Sequence, residues 1–125
     1  MFVISEDLTI NITRGDAAVI SVTGSISDAD YEFKVGDVVR LKVFAKKDCD
    51  NVVLKKDTVV TAPTLAVEVE LTKEDTKIGE VISKPVEYWY EVELNPDTKP
   101  QTIIGYDDDG AKVFKLFPEG GAVNE

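Results

Sequence analysis

Residues 87–94 read EYWYEVEL. Three aromatic rings stand in eight positions, and one of them is the only tryptophan of the chain. In a strand, successive side chains point to opposite faces. Tyr88, Tyr90, Val92 and Leu94 then share an apolar face. Glu87, Trp89, Glu91 and Glu93 share an acidic one. The stretch reads as a half-buried strand whose solvent face carries one ring that something should cover.

The same two-residue rhythm recurs along the chain. LAVEVEL puts Leu65, Val67, Val69 and Leu71 on one face. DLTINIT aligns Leu8, Ile10 and Ile12. AAVISVTG aligns Ala18, Ile20 and Val22, and VVRLKVFA aligns Val39, Leu41 and Val43. Tyr31 and Phe33 fall in phase in YEF. VVLKK reads as a short edge strand whose lysines discourage further pairing. TRGD, KVGD, KKDCDN and NPDTKPQ carry turn chemistry. Thr72 with Asp75 resembles a helix N-cap, and Gly79 can stop such a turn, so at most one short helical turn is expected near 73–79. TIIGY, DDDG and AKVFKLF predict a terminal hairpin with Asp-Gly in a type I′ turn.

These segments give about seven to nine strands at roughly 8–12-residue spacing, with no long 3.6-residue period. The fold class is all-β. An antiparallel β-sandwich is expected, with a small barrel as the alternative. The expected organisation is a single domain over residues 1–118, followed by a flexible tail over 119–125.

Charge and composition narrow the function. The 125 residues carry 14 basic and 24 acidic side chains, a formal net charge of −10. That balance argues against a phosphate backbone and against anionic lipid, so neither nucleic acid nor membrane is an expected partner. The absence of histidine removes Ser-His and Cys-His nucleophile pairs and imidazole metal sites. The one cysteine, Cys49, cannot form an intrachain disulfide, and Asp48 and Asp50 beside it disfavour a thiolate. MFVISEDLTI lacks a basic n-region and reads as no signal peptide, which points to synthesis in the cytoplasm.

Several candidate sites compete with plainer readings. Arg14-Gly15-Asp16 spells an integrin-read tripeptide, but Gly-Asp between two amphipathic strands is ordinary hairpin chemistry. Asp107, Asp108 and Asp109 offer oxygens to a cation without the spacing of a calcium loop, and a solvated hairpin tip is the plainer account. Asp28 and Asp30 are a weaker version of the same. Glu87, Glu91 and Glu93 project in parallel, whereas glycoside hydrolysis needs carboxyls opposed across a cleft. The expectation is therefore no enzyme, no cofactor and no metal. Trp89 has three readings: cover by Ile78, Val81 and Ile82, exposure at a protein interface, or a sugar platform. Phe44 lies outward with Arg40 and Lys42, whose stems can cover it. Trp89, Phe44 and Arg40 are thus the candidate interface residues.

The order of the pieces adds a resemblance. TRGDAAVISV, YEFKVGDVVRLKVFAK, LAVEVELTKEDTKI, the aromatic strand and QTIIGYDDDGAKVFKLFPEG follow one another as in small structural proteins encoded by prophages of Gram-positive bacteria. The chain also resembles the immunoglobulin-like N-terminal domain of phage baseplate upper proteins. The matching positions are Gly15-Asp16, Leu71-Thr72 with Asp75-Thr76, Tyr88 to Leu94, and Thr102-Ile103 with Gly105. The resemblance implies an immunoglobulin-like sandwich serving as a virion building block, in the tail or baseplate. Its partners would be other phage structural proteins, with self-association open. Two departures stand out: the family continues into a stalk or receptor-binding region, and GEVISK lengthens the corner before Tyr88. That corner also suggests a tyrosine corner. The alternative is a host-surface or carbohydrate-binding sandwich module.

Overall fold

The computed structural model describes residues 2–4, 8–26, 29–47, 51–106 and 110–119. Asp28, Cys49, Asp107 to Asp109 and residues 120–125 lie outside the described residues. Eleven strands and no helix occur among the described residues: β1 (Phe2–Ile4), β2 (Ile10–Thr13), β3 (Ala18–Val22), β4 (Ser25–Ile26), β5 (Ala29–Asp30), β6 (Val38–Phe44), β7 (Val52–Val59), β8 (Val67–Leu71), β9 (Val86–Leu94), β10 (Gln101–Ile104) and β11 (Lys112–Phe117). The count exceeds the expected one because β1, β4 and β5 are too short to show a rhythm.

Nine of the strands form two facing layers, and β4 and β5 pair with each other as a separate antiparallel two-stranded sheet. The larger has seven strands in the order β1-β2-β11-β9-β6-β7, with β10 also on β9. The smaller is the antiparallel pair β3–β8, with Ile20 opposite Val69. Alternation explains how they meet. Val67, Val69 and Leu71 of β8 and Ile20 and Val22 of β3 are buried against Val39, Leu41, Val43, Tyr90, Val92, Phe114 and Leu116 of the large sheet. Each layer hides its one apolar face in the other, which is how a β-sandwich closes. Phe33, outside the named strands, is fully buried and exchanges two backbone bonds with Thr64.

Four expectations are corrected. Leu65 is 53% exposed, not in register with Val67. The Thr64 hydroxyl bonds the Ala66 carbonyl and amide, a local turn that ends the alternation before the strand begins. Leu8 is likewise 38% exposed, because its φ of 67° turns the backbone left-handed just before β2. The 13–16 turn closes with Asp16 N to Thr13 O at 3.0 Å and Gly15 at φ 89°. It is not a hairpin, since β2 lies beside β11 in the large sheet and β3 pairs β8 in the small one. β7 is an edge, as its lysines suggested, but it is eight residues long rather than short.

The largest correction concerns the C-terminal strands. β10 and β11 do not pair with each other; both pair the same edge of β9. Ile104 sits opposite Val92 and Lys112 opposite Tyr90, so eight residue steps on one side pass two on the other. The hairpin that does form is β9–β10. Asn95, at φ 49°, turns it and accepts from the amides of Thr98 at 3.2 Å and Lys99 at 3.1 Å. The Asp residues of the expected turn lie outside the described residues.

The corner after β8 behaves as its cap predicts. Asp75 accepts from the Thr72 amide at 2.8 Å while its own amide donates to the Thr72 hydroxyl at 3.2 Å. One turn follows, without a helix, and Gly79 continues at φ 68°.

Candidate functional site

The outer face of the large sheet collects the residues of interest, because β6, β9 and β11 run side by side and present alternate side chains together. Phe44 stands opposite Trp89, and Trp89 opposite Val113. On either side of this apolar row, unlike charges face each other: Arg40 with Glu93, Lys42 with Glu91, and Lys115 with Glu87. Such cross-strand pairs stabilise a sheet face. The face is thus an aromatic centre set in an ionic ladder.

The candidate interface residues occupy different positions on it. Trp89 is half-buried, and Phe44 is 3% exposed. The segment expected to cover Trp89 does not. Ile78 is buried in the core, Ile82 packs on the core from its rim, and Val81 is exposed. Tyr106, itself 59% exposed, crosses on this side of the sheet. Its hydroxyl donates to the Lys47 carbonyl at 2.6 Å, so the chain leaving β10 reaches past β9 to the turn after β6. A Cβ on Gly105 would stand 3.9 Å from the Glu91 side chain, which puts this crossing on the outer face.

Arg40 lies at the far end of β6 and is almost buried. Its Nε and Nη2 donate to the two carboxylate oxygens of Asp57 at 2.7 and 3.0 Å, and Nη1 and Nη2 donate to Asp97 at 3.2 and 3.0 Å. This double fork raises the Arg40 pKa further, chiefly through the Asp57 bonds. The same bonds hold the Asp57 carboxyl below its ordinary value. Arg40 is a clamp joining β6, β7 and the β9–β10 turn. The sequence showed a cation facing outward, but its two acids lie 17 and 57 residues away and only the pairing brings them in.

Glu91 and Glu93 differ despite sharing a face. The Lys42 ammonium stands 2.6 Å from Glu93 Oε1. That oxygen is buried and lacks a partner in hydrogen-bonding geometry, so the ion pair is what compensates it. Burial, with the charge of Glu93 second, pushes the Glu91 carboxyl above its ordinary value, and Lys42 opposes the shift. The two carboxylates project from one strand, and one is tied to an ammonium. They are not opposed across a cleft, as acid and base in glycoside hydrolysis must be.

The Arg14-Gly15-Asp16 triplet is occupied with holding the fold. Arg14 is bonded to the Gly79 carbonyl at 2.8 Å, the Ile78 carbonyl at 3.4 Å and Glu119 at 3.0 Å. The Thr76 hydroxyl receives the Gly15 amide and donates to the Asp16 carbonyl. Glu119, read from sequence as the first tail residue, is thereby tied to the domain.

Two further ties escaped the sequence. Asp37 accepts from the Tyr31 hydroxyl at 2.7 Å, the Lys34 amide at 2.9 Å and the Asn95 side chain at 3.1 Å. Burial alone would raise its pKa, but these bonds outweigh it and leave the carboxyl below its ordinary value. Bonding to Asp37, ahead of burial, raises the Tyr31 phenol in turn. The second is a tyrosine bond other than the corner the sequence suggested: the Tyr90 hydroxyl donates to the Leu8 carbonyl at 2.5 Å, whereas the Tyr88 hydroxyl lies against Gly79 and makes no hydrogen bond among the described residues. Among the described residues no group of three or more acidic or thiol side chains is arranged to hold a metal ion, and no helix is long and apolar enough to cross a membrane.

In comparisons with known proteins, no family model, no curated protein and no solved structure matches this chain.

Proposed function

We propose that this chain is a non-enzymatic structural component of a phage or prophage particle, in its tail or baseplate, working through contacts with other particle proteins. The observation that carries the reading is the open edge of the large sheet. β7, eight residues long, pairs β6 on one side only, with an irregularity at Val53, and Val52, Val53 and Val59 on it are exposed. The edge lysines discourage indiscriminate pairing, so the strand is a template only for a segment whose side chains match it, for example with carboxylates facing the exposed Lys55; backbone bonds then give affinity and alternate side chains give specificity. The occupant that fits is an extended segment of a neighbouring particle subunit.

Two features support the family reading behind this proposal. In an immunoglobulin-like domain, strands G, F, C and C′ share one sheet while B and E lie in the other. β11, β9, β6 and β7 stand in the first order here, and β3 and β8 form the facing pair. The acidic exterior suits a soluble subunit that waits for its partners before assembly.

The test is to induce particles from a host carrying the gene, purify them by density, and identify their proteins by mass spectrometry. The reading expects this chain at a fixed stoichiometry in intact particles. Its absence from particles, while present in the lysate, would refute a virion role.

A further inference from the structure

A second surface lies away from the Trp89 face, at the end of the sandwich where the segment between β3 and β6 meets the β9–β10 hairpin. There Thr23, Ser25, Asp30, Gln101 and Thr102 line one half-open cleft of about 370 Å³. The volume falls in the ~300–1,000 Å³ range of small-ligand sites. None of these five side chains hydrogen-bonds to another of the described residues. These five are solvent-exposed, whereas the less exposed Asp37, Arg40 and Thr76 are committed to internal bonds.

We propose that this cleft binds a neutral carbohydrate, a sugar ring presenting adjacent hydroxyls. Three hydroxyls and an amide both donate and accept, and the Asp30 carboxylate accepts. That mixture matches groups that themselves both donate and accept. Among the described residues no cation lines the cleft, and Asp30 adds to a net charge of −10, so phosphate and carboxylate ligands are disfavoured. Leu94, Ile103 and the Tyr31 ring supply apolar surface for the C–H face of a sugar.

The walls are already fixed in place. The Tyr31 hydroxyl is bonded to Asp37, and its ring meets Phe33 edge-on at 5.1 Å between centroids. The Tyr31 amide donates to the Gly24 carbonyl at 2.9 Å. Asn95 joins the two walls, donating to Asp37 and accepting from the Val38 amide at 2.8 Å. A site held this way loses little freedom when a ligand enters. The inference is independent of the particle role, since a virion subunit and a free protein can each hold a sugar.

The test is an NMR titration of the full chain with neutral monosaccharides and disaccharides, including glucose, galactose, rhamnose and N-acetylglucosamine, with tetramethylammonium as a cationic control. The expected result is saturable binding of at least one sugar, with shifts at residues 23–31 and 101–103 and none at Trp89. Asp30→Ala and Gln101→Ala should each weaken binding about tenfold without changing the melting temperature. Absence of saturable binding across the panel, shifts confined to the Trp89 face, affinity untouched by both substitutions, or binding of the cation alone would each overturn the proposal.

Discussion

Removing one oxygen from Tyr90 tests how the N-terminal strand is fastened to the sheet. The Tyr90 ring is 3% exposed, and its hydroxyl donates to the Leu8 carbonyl at 2.5 Å across 82 residues of sequence. Tyr90→Phe keeps the ring and its packing and deletes that bond. A neutral hydrogen bond contributes about 1 kcal/mol net, and a buried acceptor left alone costs about 1–3 kcal/mol. Leu8 holds a left-handed φ of 67° at the bond, so releasing it lets the backbone relax and recovers part of the loss. The expected cost is about 1–2 kcal/mol, seen as a fall in melting temperature of roughly 5 °C for a chain of this size. Urea unfolding followed by circular dichroism should show a lower midpoint with an unchanged slope. Tyr88→Phe is the matched control, since no hydrogen bond from its hydroxyl occurs among the described residues, and should stay within about 0.5 kcal/mol. Equal melting of Tyr90→Phe and the wild type, or a larger loss in Tyr88→Phe, would refute this account of the fastening.

The remaining predictions concern the core, the outer face and pH. Leu41→Ala should cost about 2–5 kcal/mol and Leu65→Ala no more than about 0.5 kcal/mol by denaturant titration, because only the first is buried. Trp89→Ala should cost about 1–2 kcal/mol, half-buried as it is beside Phe44, which a thermal melt will register. Asp37, Asp57 and Asp75 are held below their ordinary carboxyl value of 3.8, so their stabilisation is present above pH 3.8 and lost as pH falls through the folded values. Glu91 has the opposite sign. Its pKa is raised above 4.5, so its ionisation destabilises the fold as pH rises through the raised value, and Glu91→Gln should melt higher than wild type at pH 7 but not at pH 3.

Much of the fold was legible because the two-residue rhythm is strict wherever a strand has one buried face. Val67 to Leu71 and Tyr90 to Leu94 follow it throughout, whereas β6 departs from it because Arg40 and Phe44 of its outer face are buried as well. It failed at strand ends, where a local bond overrides periodicity. The Thr64 turn exposes Leu65, and the left-handed backbone at Leu8 exposes that residue. It also failed for partners, since alternation tells which face a residue takes and not which strand lies beside it. Asp-Gly looked like a hairpin between β10 and β11, yet β9 offers an edge long enough for both. Of the candidate site, the sequence picked out Trp89, Phe44 and Arg40. It could not show that Phe44 and Trp89 are adjacent while Arg40 is clamped at the other end, because that follows from register. The cleft between Thr23 and Gln101 left no local signal, since its walls meet only after the sandwich has closed.

The open edge of β7 is the claim on which the functional reading rests, and amide hydrogen exchange along residues 52–59 tests it most directly. In the isolated chain, amides pointing at β6 should exchange slowly, and the alternate ones, pointing outward, should exchange fast. In assembled particles the outward amides should become protected. Uniform protection of β7 in the isolated chain, or outward amides still exchanging fast in the particle, would contradict the account.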